Sequence, residues 1–579
     1  MSSEKIVVVG GGLAGLMAVI KAAEKDARID LVSIVRAKRS HSVCAQGGIN
    51  ASKDMKGEGD SPFIHLDETV YGGDFLANQP PAQAMCEAAP AIIDMFDRMG
   101  VMFSRTPEGN LDFRRFGGSL FHRTAFAGAT TGQQLMYALD EQVRRFEVDG
   151  KVTRYEFWEF LSLILDDDQV CRGITAVNLK TGEIKAFHAD AVIICTGGPG
   201  YIYGRSTNSF INTGAAASRC YQQGAIYANG EFIQVHPTAI PGQDKLRLIS
   251  ESARGEGGRI WTYKDGKKWY FLEEMYPKYG NLVPRDIASR AIYKVCVEMG
   301  LGIDGRNMVY LDLTHVPAAT LDAKLFGILE IYEKFMGEDP RKVPMKVFPA
   351  VHYSMGGIWI DYDQMTNIKG LFAAGEVDYQ YHGGNRLGAN SLVSSIYGGD
   401  LAGRKAMEYI TSLEKTCDAL PSTLFDEEKK RQDELHNTIR KMDGSGNPYL
   451  LHQELGEAML HNVTIERFDE KLEETDTKIL ELMERWKNVG LSDDGNTMNQ
   501  SFYFTRHLMD MLILARVIVR GAIARNESRG AHYKPAYPKR DDENWLKTTL
   551  ARYTPDGPEL SYEPVDVSII PPRERRYDK

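Results

Sequence analysis

Long apolar runs are missing from this chain. No segment approaches the ~18–20 uninterrupted apolar residues of a membrane span. The most apolar helical stretch, 511–523, is broken by Arg516 and Arg520. The start, Met-Ser-Ser-Glu-Lys, leads straight into a strand pattern and lacks the charged, apolar and small-residue regions of a secretory leader. Cysteine is scarce and scattered: seven in 579 residues, none in a Cys-x-x-Cys pair. That pattern fits a reducing compartment, excludes a disulfide framework, and leaves no ligand set for zinc or an iron–sulfur cluster within the chain. A basic surplus is also lacking. With 79 acidic against 69 basic residues the net charge is −10, which argues against a general nucleic-acid binder.

What is present is an ordinary globular balance, 43% hydrophobic and 26% charged, with 55 glycines. At about 100–200 residues per domain, the length predicts several domains. Residues 5–9 form a β-branched run, Gly10-Gly11-Gly12-Leu13-Ala14-Gly15 a loop, 16–25 a helix-forming stretch and 29–35 a second buried strand. Further apolar strands at 189–195 and 368–374 also end in glycine turns. Together these predict one parallel sheet assembled from distant parts of the chain. The segment from about 235 to 350 is mixed in pattern and reads as an insertion. From about 420 to 535 the composition shifts to Glu, Lys, Leu and Met, with Leu472, Ile479, Met483 and Trp486 on one helical face. The last ~40 residues are Pro-rich and charged, with a strand expected at 566–570.

Gly10, Gly12 and Gly15 complete G-x-G-x-x-G directly between strand and helix. The glycines allow a tight turn and close approach of backbone N–H groups to a pyrophosphate at the helix N-terminus. The acid normally found at the end of the second strand is absent. Ser33 stands there instead, which disfavours a nicotinamide cofactor with its usual carboxylate clamp.

The next segment, Arg39-Ser40-His41-Ser42-Val43-Cys44-Ala45-Gln46-Gly47-Gly48, resembles the flavin-attachment segment of succinate dehydrogenase and fumarate reductase flavoprotein subunits. The resemblance continues in order through Phe113–Gly118, His236-Pro237-Thr238, Arg254–Gly258, Pro284-Arg285-Asp286, His352–Gly357, Asn385–Leu392 and Glu527–His532, and so spans essentially the whole chain. It implies an α/β fold: a Rossmann-like FAD-binding domain in two parts (1–235 and 351–415), an inserted α+β capping domain (236–350), a C-terminal helical bundle domain (416–535) and a small C-terminal extension (536–579). It also implies FAD bound covalently as an 8α-histidyl group at His41. Gly10, Gly12, Leu13, Ala14, Gly15, Ser33, Ser40, Ser42, Gln46, Gly47, Gly48, Phe160, Thr196, Gly197, Glu376, Asn390, Ser391 and Leu392 would line it. One position departs from the common pattern. Ala215 follows Asn212-Thr213-Gly214 where many members carry Asp, so that contact is absent or supplied elsewhere.

The reaction implied interconverts succinate and fumarate. It needs cations at both ends of a dicarboxylate, a slot beside the flavin and one proton donor or acceptor. Arg386 offers a bidentate fork for one carboxylate. His236, His352 and Ser250 can hydrogen-bond carboxylate oxygens, and Phe116 and Leu248 would pack at the substrate, with ordinary core packing the competing reading. The resemblance assigns Arg285 as general acid or base. A free guanidinium has a pKa above about 12 and rarely gives up a proton. A shuttle through Glu251 and Arg254 makes the role chemically reasonable.

No iron–sulfur ligands and no spans occur here, so the resemblance places iron–sulfur clusters and haem on partner subunits: an iron–sulfur protein and a membrane-anchor cytochrome b that exchange electrons with quinone. Cys44 and Ala215 resemble the Bacillus-type branch, with menaquinone and a dihaem anchor. The chain would then lie peripherally on the cytoplasmic face of the bacterial inner membrane. The alternatives are an L-aspartate oxidase-like flavoenzyme, a soluble fumarate reductase, and a non-catalytic flavin scaffold. The direction of the reaction and any bound alkali cation leave no signature in the sequence, and no metal-ligating set stands out.

Overall fold

The computed structural model describes residues 4–242 and 245–578. Met1–Ser3, part of the segment read as lacking a leader, lie outside the described residues. The central layer is a five-stranded, all-parallel sheet in the order Leu371–Ala373, Ala191–Ile194, Lys5–Val9, Arg28–Ser33, Val152–Glu156. Its strands are near-continuous apolar runs because both faces are covered. The first four carry the patterns expected to pair. Val152–Glu156 joins them beside Arg28–Ser33, Ser33 opposite Glu156.

The helix after the glycine loop, Leu13–Ala23, has ten of its eleven residues buried. It packs against Asn390–Thr411, and small residues set the distance between them. A Cβ on Gly403 would stand 2.6 Å from the Ala18 carbonyl oxygen, and one on Gly399 would collide with the Ala14 backbone. Gly10 has φ +110°, and a Cβ there would strike the Cys195 carbonyl, so only glycine fits this turn. Gly15 meets Gly10 in the same way, fixing helix to strand.

A second, six-stranded sheet runs Arg247–Leu248, Ile233–Ile240, Met345–Ser354, Val309–Asp312, Arg259–Lys264, Lys267–Trp269, antiparallel throughout. Two of its strands, Ile233–Ile240 and Met345–Ser354, pair with each other and run across 235/236 and 350/351, where the sequence pattern divides the chain. The helices Ser422–Arg440, Pro448–Asn462, Asp469–Trp486 and Gln500–Ala524 follow. Leu472 and Ile479 are fully buried, and Met483 and Trp486 pack on the same core. None of the described helices is long and apolar enough to cross a membrane.

The chain end returns to the central body. Lys547–Arg552 and Glu559–Pro564 extend a sheet begun by Tyr227–Ala228 and Gly357–Ile358. The strand expected at 566–570 does not form. Gln79 supplies the partners a ladder would have given: its Oε1 accepts from the N–H of Ile569 and Ile570, and its Nε2 donates to the Ile570 carbonyl.

Candidate active site

A cavity of about 550 Å³ runs between the two sheets. At one end it is walled by the glycine loop, the end of the strand Arg28–Ser33 and the segment Trp158–Phe160. At the other end stand Phe116, Leu248, Ser250, Glu251, Arg285, His352 and Arg386. Between them lie Ser40, His41, Ser42, Gln46, Gly47, Gly48, Thr196, Gly197, Glu376, Ser391 and Leu392.

Four of the residues singled out from the sequence stand off the wall. Gly15 is used in packing against Gly10. Asn390 spends its side chain within the protein: its Oδ1 accepts from Asn50 Nδ2 at 2.7 Å and lies 2.9 Å from His65 Nε2, and its Nδ2 donates to Thr69. It anchors the start of its helix rather than facing the cavity. His236 is completely buried behind His352, ring centroids 5.1 Å apart. Arg254 lies behind Glu251.

The cationic end is built as a chain. Glu251 accepts from Arg254 Nη2 at 2.5 Å and from Arg285 Nη2 and Nε at 2.9 and 3.0 Å. Close approach requires Gly117, because a Cβ there would run into the Glu251 carboxylate. Burial opposes ionisation of Glu251, but Arg285 and Arg254 outweigh it and hold its carboxyl below the ordinary range. Gln234, which no local signal picked out, accepts from Arg285 Nη1 at 3.0 Å and donates to Asn385 Oδ1 and the Arg386 carbonyl. It ties the two arginine segments together.

Arg386 is 2% exposed, its guanidinium 4.4 Å from the Tyr353 ring centre, and its Nε and Nη1 are buried without a partner. Burial, and then Arg285, lower its pKa to about 9. Burial, then Arg285, keep both His236 and His352 neutral, well below the usual imidazole value. Two guanidinium groups, those of Arg254 and Arg285, thus share the buried Glu251 carboxylate, and the third, on Arg386, keeps Nε and Nη1 unpartnered. A bound dianion would supply negative charge to this cluster, and the unpartnered Arg386 nitrogens could donate to its carboxylate oxygens.

The middle of the cavity is prepared differently. His41 sits in a short 3₁₀ turn, His41–Cys44. Its Nε2 is 3.3 Å from Asn208 Nδ2 and its Nδ1 is buried with no partner. Burial, and then Lys245, push its pKa down to about 4, so the ring is uncharged at neutral pH. Ser42 Oγ accepts the N–H of Leu13 at 3.3 Å, tying this turn to the glycine loop. Gln46 Oε1 and Asn212 Oδ1 are also buried and unpartnered. Glu376 accepts the Ser354 N–H, and burial raises its pKa to about 7. Thr207 Oγ1 lies 2.7 Å from His352 Nδ1. Asn208, Thr207 and Gln234 carry no short motif of their own.

The dimensions, the glycine cradle and these open polar atoms fit a dinucleotide with its reactive ring beside the cationic end. Comparison with known proteins agrees. A family described as FAD binding domain matches residues 5–392, and one described as fumarate reductase flavoprotein C-term matches 452–577. The protein is therefore a flavoprotein that binds FAD. The chain is 67% identical over 581 residues to the succinate dehydrogenase flavoprotein subunit of Bacillus subtilis (strain 168), covering 100% of this chain and 99% of that one. It is 35% identical over 588 residues to the fumarate reductase flavoprotein subunit of Escherichia coli (strain K12), covering 99% and 95%. A solved structure of an E. coli quinol fumarate reductase variant superposes with a TM-score of 0.93 at 34% identity, covering 100% of both chains. The chain belongs to the succinate dehydrogenase and fumarate reductase flavoprotein subunits, and is an FAD-dependent oxidoreductase of that family.

Proposed function

We propose that this chain interconverts succinate and fumarate at the cationic end of the cavity, beside FAD linked covalently to His41. The observation that carries the reading is the buried pairing of Arg254 and Arg285 on the Glu251 carboxylate, in the same cavity end as Arg386, whose Nε and Nη1 have no partner. FAD, when bound, supplies a two-electron acceptor and donor of hydride. Gly10, Gly12, Leu13, Ala14, Ser33, Ser42, Gln46, Gly47, Gly48, Phe160, Thr196, Gly197, Ser391 and Leu392 would hold it.

Arg386 takes one substrate carboxylate in its fork. His352, with His236 behind it, and the Ser250 hydroxyl hold the other oxygens. Ser250 Oγ already accepts from Ser252 Oγ at 2.9 Å, so its own proton is available to a ligand. Phe116, 3% exposed, closes the slot from the side of Gly47, where a larger residue would collide with its ring. Arg285 gives or takes the proton. Glu251 lies ion-paired between Arg285 and Arg254, so a proton lost from Arg285 is resupplied along Arg254 and Glu251. A dry, low-dielectric pocket strengthens each of these interactions.

Electrons would pass to or from quinone through an iron–sulfur subunit and a cytochrome b membrane anchor, holding the chain peripherally at the cytoplasmic face of the membrane. Cys44 and Ala215 carry the resemblance to the branch with a menaquinone-linked, dihaem anchor.

Acid precipitation followed by in-gel flavin fluorescence and mapping of the fluorescent peptide tests the linkage. Flavin on the peptide containing His41, with turnover of both succinate and fumarate, is the expected result. A colourless pellet under a yellow supernatant would overturn the covalent assignment and favour an L-aspartate oxidase-like or soluble reductase activity.

A further inference from the structure

The dinucleotide fold normally places an acid at the end of its second strand to receive the ribose hydroxyls. Here that position is Ser33, and the next strand over supplies something else. Ser33 pairs with Glu156, whose own carboxylate turns toward Arg36 at 3.9 Å, and Glu156 is absent from the cavity wall. The chain then reverses at Phe157, held at φ +65°, and enters the strand Trp158–Leu165. Glu159, three residues beyond Glu156, reaches the same end of the cavity as Ser33.

Glu159 is 6% exposed, and only one of its oxygens is used. Oε1 accepts from Arg219 Nη1 at 2.6 Å and lies 2.7 Å from His507 Nε2. Oε2 is buried and has no partner. Arg219 is itself clamped, with Nε donating to Asp510 Oδ2 at 2.9 Å and Nη1 also to the Phe160 carbonyl. Arg219 and His507 both line the cavity, as does Ala215, which brings no polar side chain. Burial works against a charge on Glu159, but His507 and Arg219 outweigh it and hold the carboxyl well below its ordinary range.

A buried, ionised carboxylate with an idle oxygen is costly unless something donates to it. The oxygen is acceptor-only, so the missing partner is a donor. Phosphate and adenine ring nitrogens are acceptors and do not suit it. A vicinal diol does.

We propose that Glu159 Oε2 is the ribose-hydroxyl acceptor for the adenosine half of FAD, taking the place of the acid missing after the second strand. The proposal rests on FAD occupying this cavity. It gives the helical domain a part in cofactor binding, because His507 and Asp510, both on the helix Gln500–Ala524, fix the carboxylate's orientation.

The test uses the full chain carrying His41→Ser, so that flavin exchanges, and measures Kd by quenching of flavin fluorescence. Two cofactors are compared: FAD, and FAD lacking the 2′- and 3′-hydroxyls of its adenosine ribose. A hydroxyl donating to a charged acceptor contributes enough to expect about a tenfold or larger loss for the deoxy cofactor. In the added Glu159→Gln variant, which is isosteric and leaves Arg219 paired to Asp510, the penalty should shrink to about threefold or less. In Ser33→Ala it should persist. Equal penalties with and without Glu159→Gln would overturn the proposal, as would equal affinity for the two cofactors before that change. If Glu159→Gln does not fold, Ser33→Ala decides: loss of the penalty there would assign the hydroxyls to Ser33 and overturn the proposal. No binding of FAD itself would instead overturn the cofactor reading on which it rests.

Discussion

His236 and His352 stand on neighbouring antiparallel strands with ring centroids 5.1 Å apart, and each has its Nδ1 occupied from behind. The Thr238 N–H donates to His236 Nδ1 at 3.2 Å. A nitrogen that accepts there cannot carry a proton, so the proton is on Nε2, which is buried and without a partner. For His352 the group behind Nδ1 is the Thr207 hydroxyl, at 2.7 Å. The same hydroxyl also lies 3.3 Å from the Val351 carbonyl, so it ties the ring to the strand backbone and fixes its orientation. Thr207→Val removes that partner without changing the volume much. It should lower kcat/KM for succinate by about tenfold, the size of one hydrogen bond. Thr207→Ser should restore most of it. Loss in Thr207→Ser with none in Thr207→Val would show that the methyl group, not the hydroxyl, matters.

Arg386 is the cation with the most unused hydrogen-bonding capacity at the site. Arg386→Lys keeps the charge but loses the planar fork, and a point charge cannot hold a carboxylate in two places. The expected outcome is a fall in kcat/KM of about 10²–10³, in the range found when one transition-state donor is removed. Flavin content should be unchanged, measured by absorbance after acid precipitation. Wild-type kinetics in this variant would remove Arg386 from the mechanism.

Much of this arrangement is legible in the sequence, and the division is physical. The glycine loop, its strand and its helix are local features, with periodicity and turn chemistry over some twenty residues. The four apolar strands that join in the central sheet are likewise visible as runs. Arg219 is different. Its partners Glu159 and Asp510 lie 60 and 291 residues away, and no local pattern announces that they meet. Gln234 reads as an unremarkable strand residue until it is seen bridging Arg285 and Arg386. Asn390 shows the reverse: it stands in a motif read as lining the cofactor, and its side chain is spent on Asn50, His65 and Thr69. At 566–570 the apolar pattern suggests a strand, but one glutamine side chain, Gln79, takes over the backbone groups.

Asp378 gives a stability prediction with a definite sign. Its carboxyl is buried, and burial raises its pKa from 3.8 to about 8, against the N–H of Gln380 and the amide of Gln364, which favour the charge. A raised carboxyl binds its proton more tightly folded than unfolded. Its contribution is therefore present below pH ~4 and is lost as pH rises through about 8. Asp378→Asn cannot ionise. At pH 8.5 it should melt higher than the parent, by an amount worth up to a few kcal/mol. At pH 4 the two should melt together. Thermal unfolding of both proteins at the two pH values checks this, and a difference of the same size at both would refute the assignment.

Gly399 and Gly403 let two helices of the flavin-binding core touch backbone to backbone. A methyl group at Gly399 would meet the Ala14 backbone at the start of the glycine-loop helix, and one at Gly403 would meet Ala18. Neither neighbour is a flexible side-chain end that could move aside. Gly403→Ala should cost about 1–3 kcal/mol, as overpacking of a close-packed core does. Gly399→Ala should do more, because relief requires shifting Ala14, which lines the cavity. Its expected signature is weaker flavin retention as well as a lower melting temperature. A Gly399→Ala protein that melts lower but holds flavin as tightly as the parent would show that the helix can yield without disturbing the loop.

The linkage proposed at His41 separates the two directions of the reaction. An 8α-histidyl bond draws electron density from the flavin and makes it more oxidising, which favours the thermodynamically difficult oxidation of succinate. The structure leaves FAD many other contacts, from the glycine loop to Leu392, so loss of the bond need not release the cofactor. His41→Ser should therefore retain FAD without a covalent bond, giving a yellow protein whose acid pellet is colourless. Fumarate reduction, driven by an artificial reductant, should persist in part, while succinate oxidation should fall much further. Equal loss in both directions would mean that His41 acts through geometry and not through the flavin's potential.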